Sequence, residues 1–208
     1  MRGRFISLEG VEGCGKSTQI ERLKGHLEES GYRVDLTREP GGTPIGEAIR
    51  AILLDNANNA MCDVAELLLY EAARAQHIEE RIRPAIEQGV VVISDRFADS
   101  TTAYQGAGRG LNDQTVAALH EIAVAGLWPD LTIVLDVPAR EGLARVKRYR
   151  ETDRIEQESL QFHERVRNGF LQLAEQNPGR IKVVDGARPA DEVTRDVIAL
   201  VSRLLESP

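Results

Sequence analysis

Residues 4–18 read RFISLEGVEGCGKST, a short, mostly apolar run followed by a glycine-rich turn, a lysine and two hydroxyls. Gly10, Gly15, Lys16 and Ser17 fill every defined position of G-x-x-x-x-G-K-[ST]. That pattern also arises by chance, so its surroundings decide its reading. Here it leaves an expected strand, 4–9, and opens an expected helix, 16–29, which Gly31 stops. Glycines in such a turn let consecutive backbone N–H groups converge on a polyphosphate, and the helix N-terminus adds partial positive charge. Gly10, Val11, Glu12, Gly13, Cys14, Gly15, Lys16, Ser17 and Thr18 are therefore a candidate phosphate cradle. In it Lys16 would reach the outer phosphates and the Ser17 hydroxyl would ligate Mg2+. Cys14 reads as a small side chain at a tolerant position rather than a reactive thiol, since no resolving cysteine lies nearby in sequence.

Outward from this turn, strands are expected at 33–37, 90–94, 131–136 and 181–185. The last three are near-continuous apolar runs rich in Val and Ile, as strands covered on both faces require. Helical spacing marks 63–88, 113–126, 139–149, 157–176 and 189–206. Strands alternating with helices imply a parallel, doubly wound α/β sheet. No repeat or linker divides the chain, so residues 1–208 are expected to form a single domain. The stretches 38–46, 55–62, 95–112 and 148–156 read as irregular, and loops after strand C-terminal ends are where open α/β sheets bind ligands.

Composition excludes several classes. With 42% hydrophobic and 28% charged residues the chain is an ordinary globular protein. No apolar run approaches the roughly 18 residues of a membrane span. The N-terminal apolar run is too short for a signal peptide and meets Glu9, which points to the cytoplasm. A net charge of −7 argues against a nucleic-acid polymer as partner. Two isolated cysteines make no disulfide framework, and the histidines form no HExxH pair or metal cage.

Neither DxxG nor NKxD occurs, which excludes a switch GTPase. The strand VVVIS is followed by Asp95 and Arg96. A strand-end carboxylate can hold the Mg2+ shell beside Ser17, and the neighbouring arginine can bind a second phosphate. The same two residues could form an ordinary buried ion pair. Arginines Arg38, Arg74 and Arg96, at two strand ends and on the long helix, suit a kinase that brings two anions together. Tyr70 and Arg74, four apart, share a helix face and could stack on a base and bond its edge. They would equally suit a solvated face.

The motifs GVEGCGKST, TREPGGTPIGEAIR, LLLYEAARAQH, SDRFADSTTAYQGAGRG, PDLTIVLDV and RYRETDRIEQES occur in this order. Together they make the chain resemble the thymidylate kinase family along essentially its whole length. The resemblance implies a P-loop nucleoside monophosphate kinase fold with a five-stranded parallel sheet surrounded by helices. It implies ATP-dependent phosphorylation of dTMP to dTDP with Mg2+, and a homodimer built through the apolar faces of long helices. In such enzymes the matching Arg38 and Arg96 contact the monophosphate, Arg74 the thymine base, and Tyr70 stacks on it. Pro40, Ser100, Thr101, Tyr104 and Gln105 match the acceptor-contacting segments, with Tyr104 favouring a deoxyribose. Glu12 would face the acceptor's 3′-hydroxyl or a metal-bound water. Some members carry a catalytic arginine in the phosphate loop; Glu12, Gly13 and Cys14 provide none here. The missing charge is sought in a lid at about 145–156, in Arg148, Arg150 and Arg154, which with Lys16 and Arg96 complete the expected catalytic set. The alternatives are another nucleoside or deoxynucleotide kinase, or a non-catalytic nucleotide sensor. Glu39-Pro40 could be cis or trans.

Overall fold

The computed structural model describes residues 2–146, 148 and 151–206. Its centre is a five-stranded, wholly parallel sheet: β1 Phe5–Glu9, β2 Val34–Arg38, β3 Val91–Asp95, β4 Leu131–Asp136 and β5 Ile181–Asp185, in spatial order β2-β3-β1-β4-β5. The order reverses at β1, so the turn after β1 opens at the switch point of the sheet, where a crevice forms. β1 is buried at every residue, whereas β2 and β5, the edges, are partly exposed. The expectation that 181–185 is covered on both faces is thus corrected: Val183 is 44% exposed. Its apolar run reflects strand propensity and one packed face.

Helices cover both sides of the sheet. α1 is Lys16–Glu29, α2 Pro44–Leu54, α3 Asp63–His77, α4 Arg83–Glu87, α5 Ala98–Thr101, α6 Asp113–Val124, α7 Ala139–Val146, α8 Leu160–Gln176 and α9 Ala190–Glu206. Ile6, Leu8, Ile133, Leu135 and Val137 meet Leu23 and Val197 in the larger core. Phe5, Val92 and Phe97 meet Ile78, Ile82 and Ile86 in the smaller one.

Two stretches expected to be irregular hold helices. In 38–46 the helix α2 begins at Pro44, which needs no N–H partner at the first helical position. The Thr43 hydroxyl caps it by accepting from Gly46 N at 3.0 Å. In 95–112, α5 runs into a π-helical segment, Thr102–Gly108. The expected helix 63–88 is broken by another π-helical turn, Ile78–Ile82. Pro84 has no N–H to return to Glu80, and the wider turn absorbs that loss. Its apolar spacing also serves two faces. Leu67 is fully buried, but Val64 and Leu68 are 52% and 49% exposed.

Candidate active site

The phosphate turn is closed from below by its own backbone. Gly10 sits at φ 135°, and a Cβ there would come 2.5 Å from the Leu135 carbonyl oxygen. Gly13, at φ 66°, would place a Cβ 2.2 Å from the Gly142 carbonyl oxygen on α7. Gly142 is equally constrained, its Cβ falling 2.1 Å from Glu12 O. The turn therefore packs backbone against backbone on the helix that leads into the expected lid, an approach only glycine permits.

Lys16 is buried, with Nζ donating to Gly10 O at 3.2 Å and Val11 O at 3.3 Å, and lying 3.6 Å from Cys14 Sγ. Among the described residues no carboxylate pairs with it, so its charge is held by weak acceptors that a phosphate would replace. Cys14 is buried in the core beneath the turn, in keeping with a packing role.

Glu12 points away from the cradle. Its Oε1 accepts from the Tyr104 hydroxyl at 2.5 Å and from Arg96 Nη2 at 3.1 Å. His163 Nδ1, fully buried on α8, lies 3.1 Å from Glu12 Oε2, within charge-attraction range though off the hydrogen-bond line. Burial alone would raise this carboxyl, but His163, Arg96 and Tyr104 outweigh burial and hold it at about 2. A carboxylate with a lowered folded-state pKa contributes stability above its ordinary value and loses it as pH falls toward the lowered one. In acid-unfolding curves Glu12→Gln is expected to be less stable than the parent at neutral pH. The gap should narrow as pH falls from about 4.5 toward about 2. A gap that stays constant over that window would contradict the assignment.

Arg96 occupies the left-handed region at φ 72°, a strained conformation for a side-chain-bearing residue. Its guanidinium donates to Gly10 O at 3.0 Å, Ser100 Oγ at 3.1 Å and Glu12, and stacks 4.8 Å over the Tyr104 ring. Under this turn lies Glu9, fully buried, which accepts from Ser7 Oγ at 2.7 Å, Phe97 N at 2.6 Å and Ser100 Oγ at 2.5 Å. Burial first, then Asp99, pushes Glu9 up to about 7. Sequence reading did not single out Glu9; a carboxylate closing an apolar strand directly before the glycine turn was the available signal.

Arg74 is buried, 5.3 Å over the Phe97 ring. Its Nε donates to Glu39 Oε2 at 2.9 Å, Nη1 to Glu71 Oε1 at 2.5 Å and Nη2 to Thr101 Oγ1 at 2.9 Å. Glu39 and Glu71 are further residues that sequence reading missed, because nothing local shows which carboxylates share a buried arginine. Each has a buried histidine beside it: His77 Nδ1 is 3.0 Å from Glu39 Oε1, and His120 Nδ1 is 3.2 Å from Glu71 Oε1.

A cavity of about 750 Å3 joins these parts, within the usual range for a ligand site. Its walls include Glu12, Gly13, Cys14, Gly15, Lys16, Ser17 and Thr18 at one end, with Gly10 and Val11 beneath them as backbone acceptors. Arg38, Pro40, Tyr70, Arg74, Asp95, Arg96, Ser100, Thr101, Tyr104 and Gln105 line the rest. Every expected acceptor residue thus faces the same space as the cradle. Burial pushes the Tyr70 phenol up, so it stays neutral as a stacking ring would. Glu39-Pro40 is cis. Arg38 is paired at the rim with Glu47 at 3.0 Å.

The arginines of the expected lid are placed differently from one another. Arg145 Nη1 donates to Gly13 O at 3.3 Å, touching the cradle directly. Arg148 is exposed just beyond α7, and Arg150 lies outside the described residues. Arg154, expected to close over ATP, is instead buried against Glu66 at 2.6 Å, and its Nε donates to Leu53 O at 2.8 Å. Glu66 also accepts from Gln105 at 2.8 Å and from Arg109. These bonds tie Arg154 to α2 and α3.

Asp95 Oδ1 is buried without a hydrogen-bond partner among the described residues, and Asp95 and Ser17 border the same cavities. An unpaired carboxylate oxygen beside a hydroxyl fits a hard cation that keeps most of its own waters. Among the described residues no cluster of His, Cys, Asp and Glu could hold a metal by itself.

The family model described as thymidylate kinase matches residues 8–197. The chain belongs to the thymidylate kinase family. It is 52% identical to the thymidylate kinase of Geotalea daltonii, covering 97% of this chain and 98% of the relative. It is 49% identical to that of Trichlorobacter lovleyi, covering 96% and 98%. A crystal structure of thymidylate kinase from Ehrlichia chaffeensis superposes with a TM-score of 0.79 at 33% identity, covering 97% of this chain and 99% of that one. Family membership makes the chain a nucleoside monophosphate kinase, a phosphotransferase that uses ATP to phosphorylate dTMP. Another deoxynucleotide kinase or a silent sensor is not favoured. Among the described residues no helix is long and apolar enough to cross a membrane.

Proposed function

We propose that the cavity is one two-anion site, in which the turn 10–18 holds the ATP phosphates and Arg38, Arg74 and Arg96 hold dTMP. The observation that carries this reading is the shared cavity, with Lys16 at one end and Arg74 and Gln105 at the other. The acceptor monophosphate has a second pKa of about 6, so its oxygen is a nucleophile at neutral pH without a strong base. Catalysis then rests on placing cations and aligning two anions. Arg96 is pre-set for this by Glu12, Gly10 O and Ser100, so its charge is ordered before substrate arrives. Tyr70 supplies a stacking face. Tyr104 is fixed by its bond to Glu12 and narrows the space beside the sugar. Pro40, Thr101 and Gln105 complete the acceptor wall.

Ser17 and Asp95 would hold Mg2+, which when bound neutralises charge between the outer phosphates. Arg145 joins Arg148 and Arg150 as the lid charge that substitutes for a phosphate-loop arginine, while Arg154 secures the lid's base. Residues 1–208 act as one cytoplasmic domain, with a lid at about 145–156 that excludes water on closing. Two copies associate through the exposed Val64 and Leu68 of α3 and Ile122 of α6, since exposed apolar side chains on neighbouring helices favour burial.

A coupled ADP-release assay over dTMP, dUMP, dCMP, dGMP and thymidine tests the reaction. Turnover should be best with dTMP, and dUMP should fall behind by what one methyl is worth, about 1–3 kcal/mol. Absence of dTMP turnover would sink the reading.

A further inference from the structure

One buried chain of polar contacts runs from the edge strand to the acceptor pocket without touching the reacting atoms. Thr37 Oγ1 on β2 lies 2.6 Å from His77 Nε2, His77 Nδ1 lies 3.0 Å from Glu39 Oε1, and Glu39 Oε2 accepts from Arg74 Nε at 2.9 Å. His77 is fully buried, and Glu39 and Thr37 are buried. Glu39 faces Arg74 as its ion-pair partner, and a carboxylate so placed serves as an acceptor. With Glu39 accepting, His77 Nδ1 is the donor of that bond, and Nε2 faces the Thr37 hydroxyl. The contacts thus run in one line from Thr37 through His77 to Glu39.

The surroundings hold the chain rigid. The Glu39 N–H donates to Asp95 O at 2.9 Å. Gly42, at φ 79°, packs so closely that a Cβ would meet His77 Nε2 at 2.5 Å and Thr37 Oγ1 at 2.7 Å. On Arg74, Nε, Nη1 and Nη2 each already serve Glu39, Glu71 or Thr101. A second N–H remains on each terminal nitrogen, and Arg74 lines the cavity. A guanidinium donates and never accepts, so an N–H aimed at the base edge welcomes a carbonyl and not an amine, and the plane sets that aim.

We propose that His77 is a positioning residue for nucleobase selection: through Glu39 it fixes the plane of Arg74, which then favours a base bearing a carbonyl oxygen over one bearing an amine. This rests on the reading of Arg74 as the base-facing residue. A carboxylate held on one oxygen only could swing about its own axis and take the guanidinium with it. His77 removes that freedom by holding the other oxygen.

The test compares dTMP with 5-methyl-dCMP, which carries an amine where dTMP has the C4 carbonyl. His77→Leu removes the donor, His77→Asn keeps an N–H near the Nδ1 position, and Thr37→Val removes the far end of the chain. His77→Leu is expected to raise KM for dTMP and to lower the ratio of kcat/KM values, dTMP over 5-methyl-dCMP, each by about tenfold. KM for ATP should not move. His77→Asn should restore most of the ratio, and Thr37→Val should lower it in the same direction by a smaller factor. A ratio unchanged in both His77→Leu and Thr37→Val overturns the proposal, as does an equal loss for both nucleotides or for ATP. If His77→Leu does not fold, Thr37→Val and His77→Asn decide by the same ratio. Arg74→Lys, which keeps a charge between Glu39 and Glu71, separates the two levels. If it leaves the ratio intact, the base-facing reading of Arg74 fails and the proposal with it. If it collapses the ratio while the His77 and Thr37 variants do not, only the relay fails.

Discussion

Lys16→Ala is expected to lower kcat by roughly 10²–10³-fold while the protein keeps its fold. Among the described residues its ammonium bonds only Gly10 O and Val11 O, with Cys14 Sγ at a longer distance. Removing it therefore strands no buried carboxylate, and the turn is still shaped by glycines at φ 135°, 66° and 99°. On the proposed reading, with the lysine as the cation at the donor phosphates, the whole loss should fall on phosphoryl transfer. Lys16→Arg should fail as well, because a planar fork cannot occupy the compact space of an ammonium nested among backbone carbonyls. Steady-state kinetics beside a circular-dichroism melt separate activity from stability. An alanine variant with full activity would remove the phosphate-loop assignment.

Arg74→Met should have the largest effect on stability. Arg74 lies between Glu39 and Glu71, all buried, and its loss leaves two carboxylates facing each other without a counter-charge. Removing one partner of a buried ion pair costs about 3–5 kcal/mol, which for a chain of this size lowers the melting temperature by roughly 6–20 °C. The same change should abolish measurable dTMP selectivity. Adding Glu39→Gln and Glu71→Gln to Arg74→Met should recover much of the melting temperature and none of the selectivity, because the repulsion goes but the donor proposed to face the base does not return. If the single variant melts with the parent, the three charges are not the tightly coupled group that the distances describe.

The two parts of the site differ in how far a linear reading reaches them. The phosphate turn is contiguous, and its glycines, lysine and hydroxyl announce their chemistry through spacing alone. The acceptor side is assembled from β2, α3, β3 and the π-helical segment after α5, elements far apart in sequence. Its arginines were visible as residue types at strand ends. Their partners were not: Glu12 joins Arg96 across 84 positions and Glu39 joins Arg74 across 35. Arg154 shows the converse. In RYRETDR it reads as one more lid charge, yet burial against Glu66 and the Leu53 carbonyl makes it an anchor.

By itself the sequence determined the parallel α/β architecture, the glycine-rich turn at 10–18 and the class of chemistry, because strand periodicity, glycine turns and helix starts are local properties. Only the tertiary structure decided which carboxylates hold which arginines, and that His77, His120 and His163 stand beside three of those carboxylates. It also decided that the long helix yields to a π-helical turn before Pro84 and that β5 is an edge. The physical reason is the same throughout: a charge buried with its partner gains its meaning from distance and desolvation, and neither quantity is written along the chain.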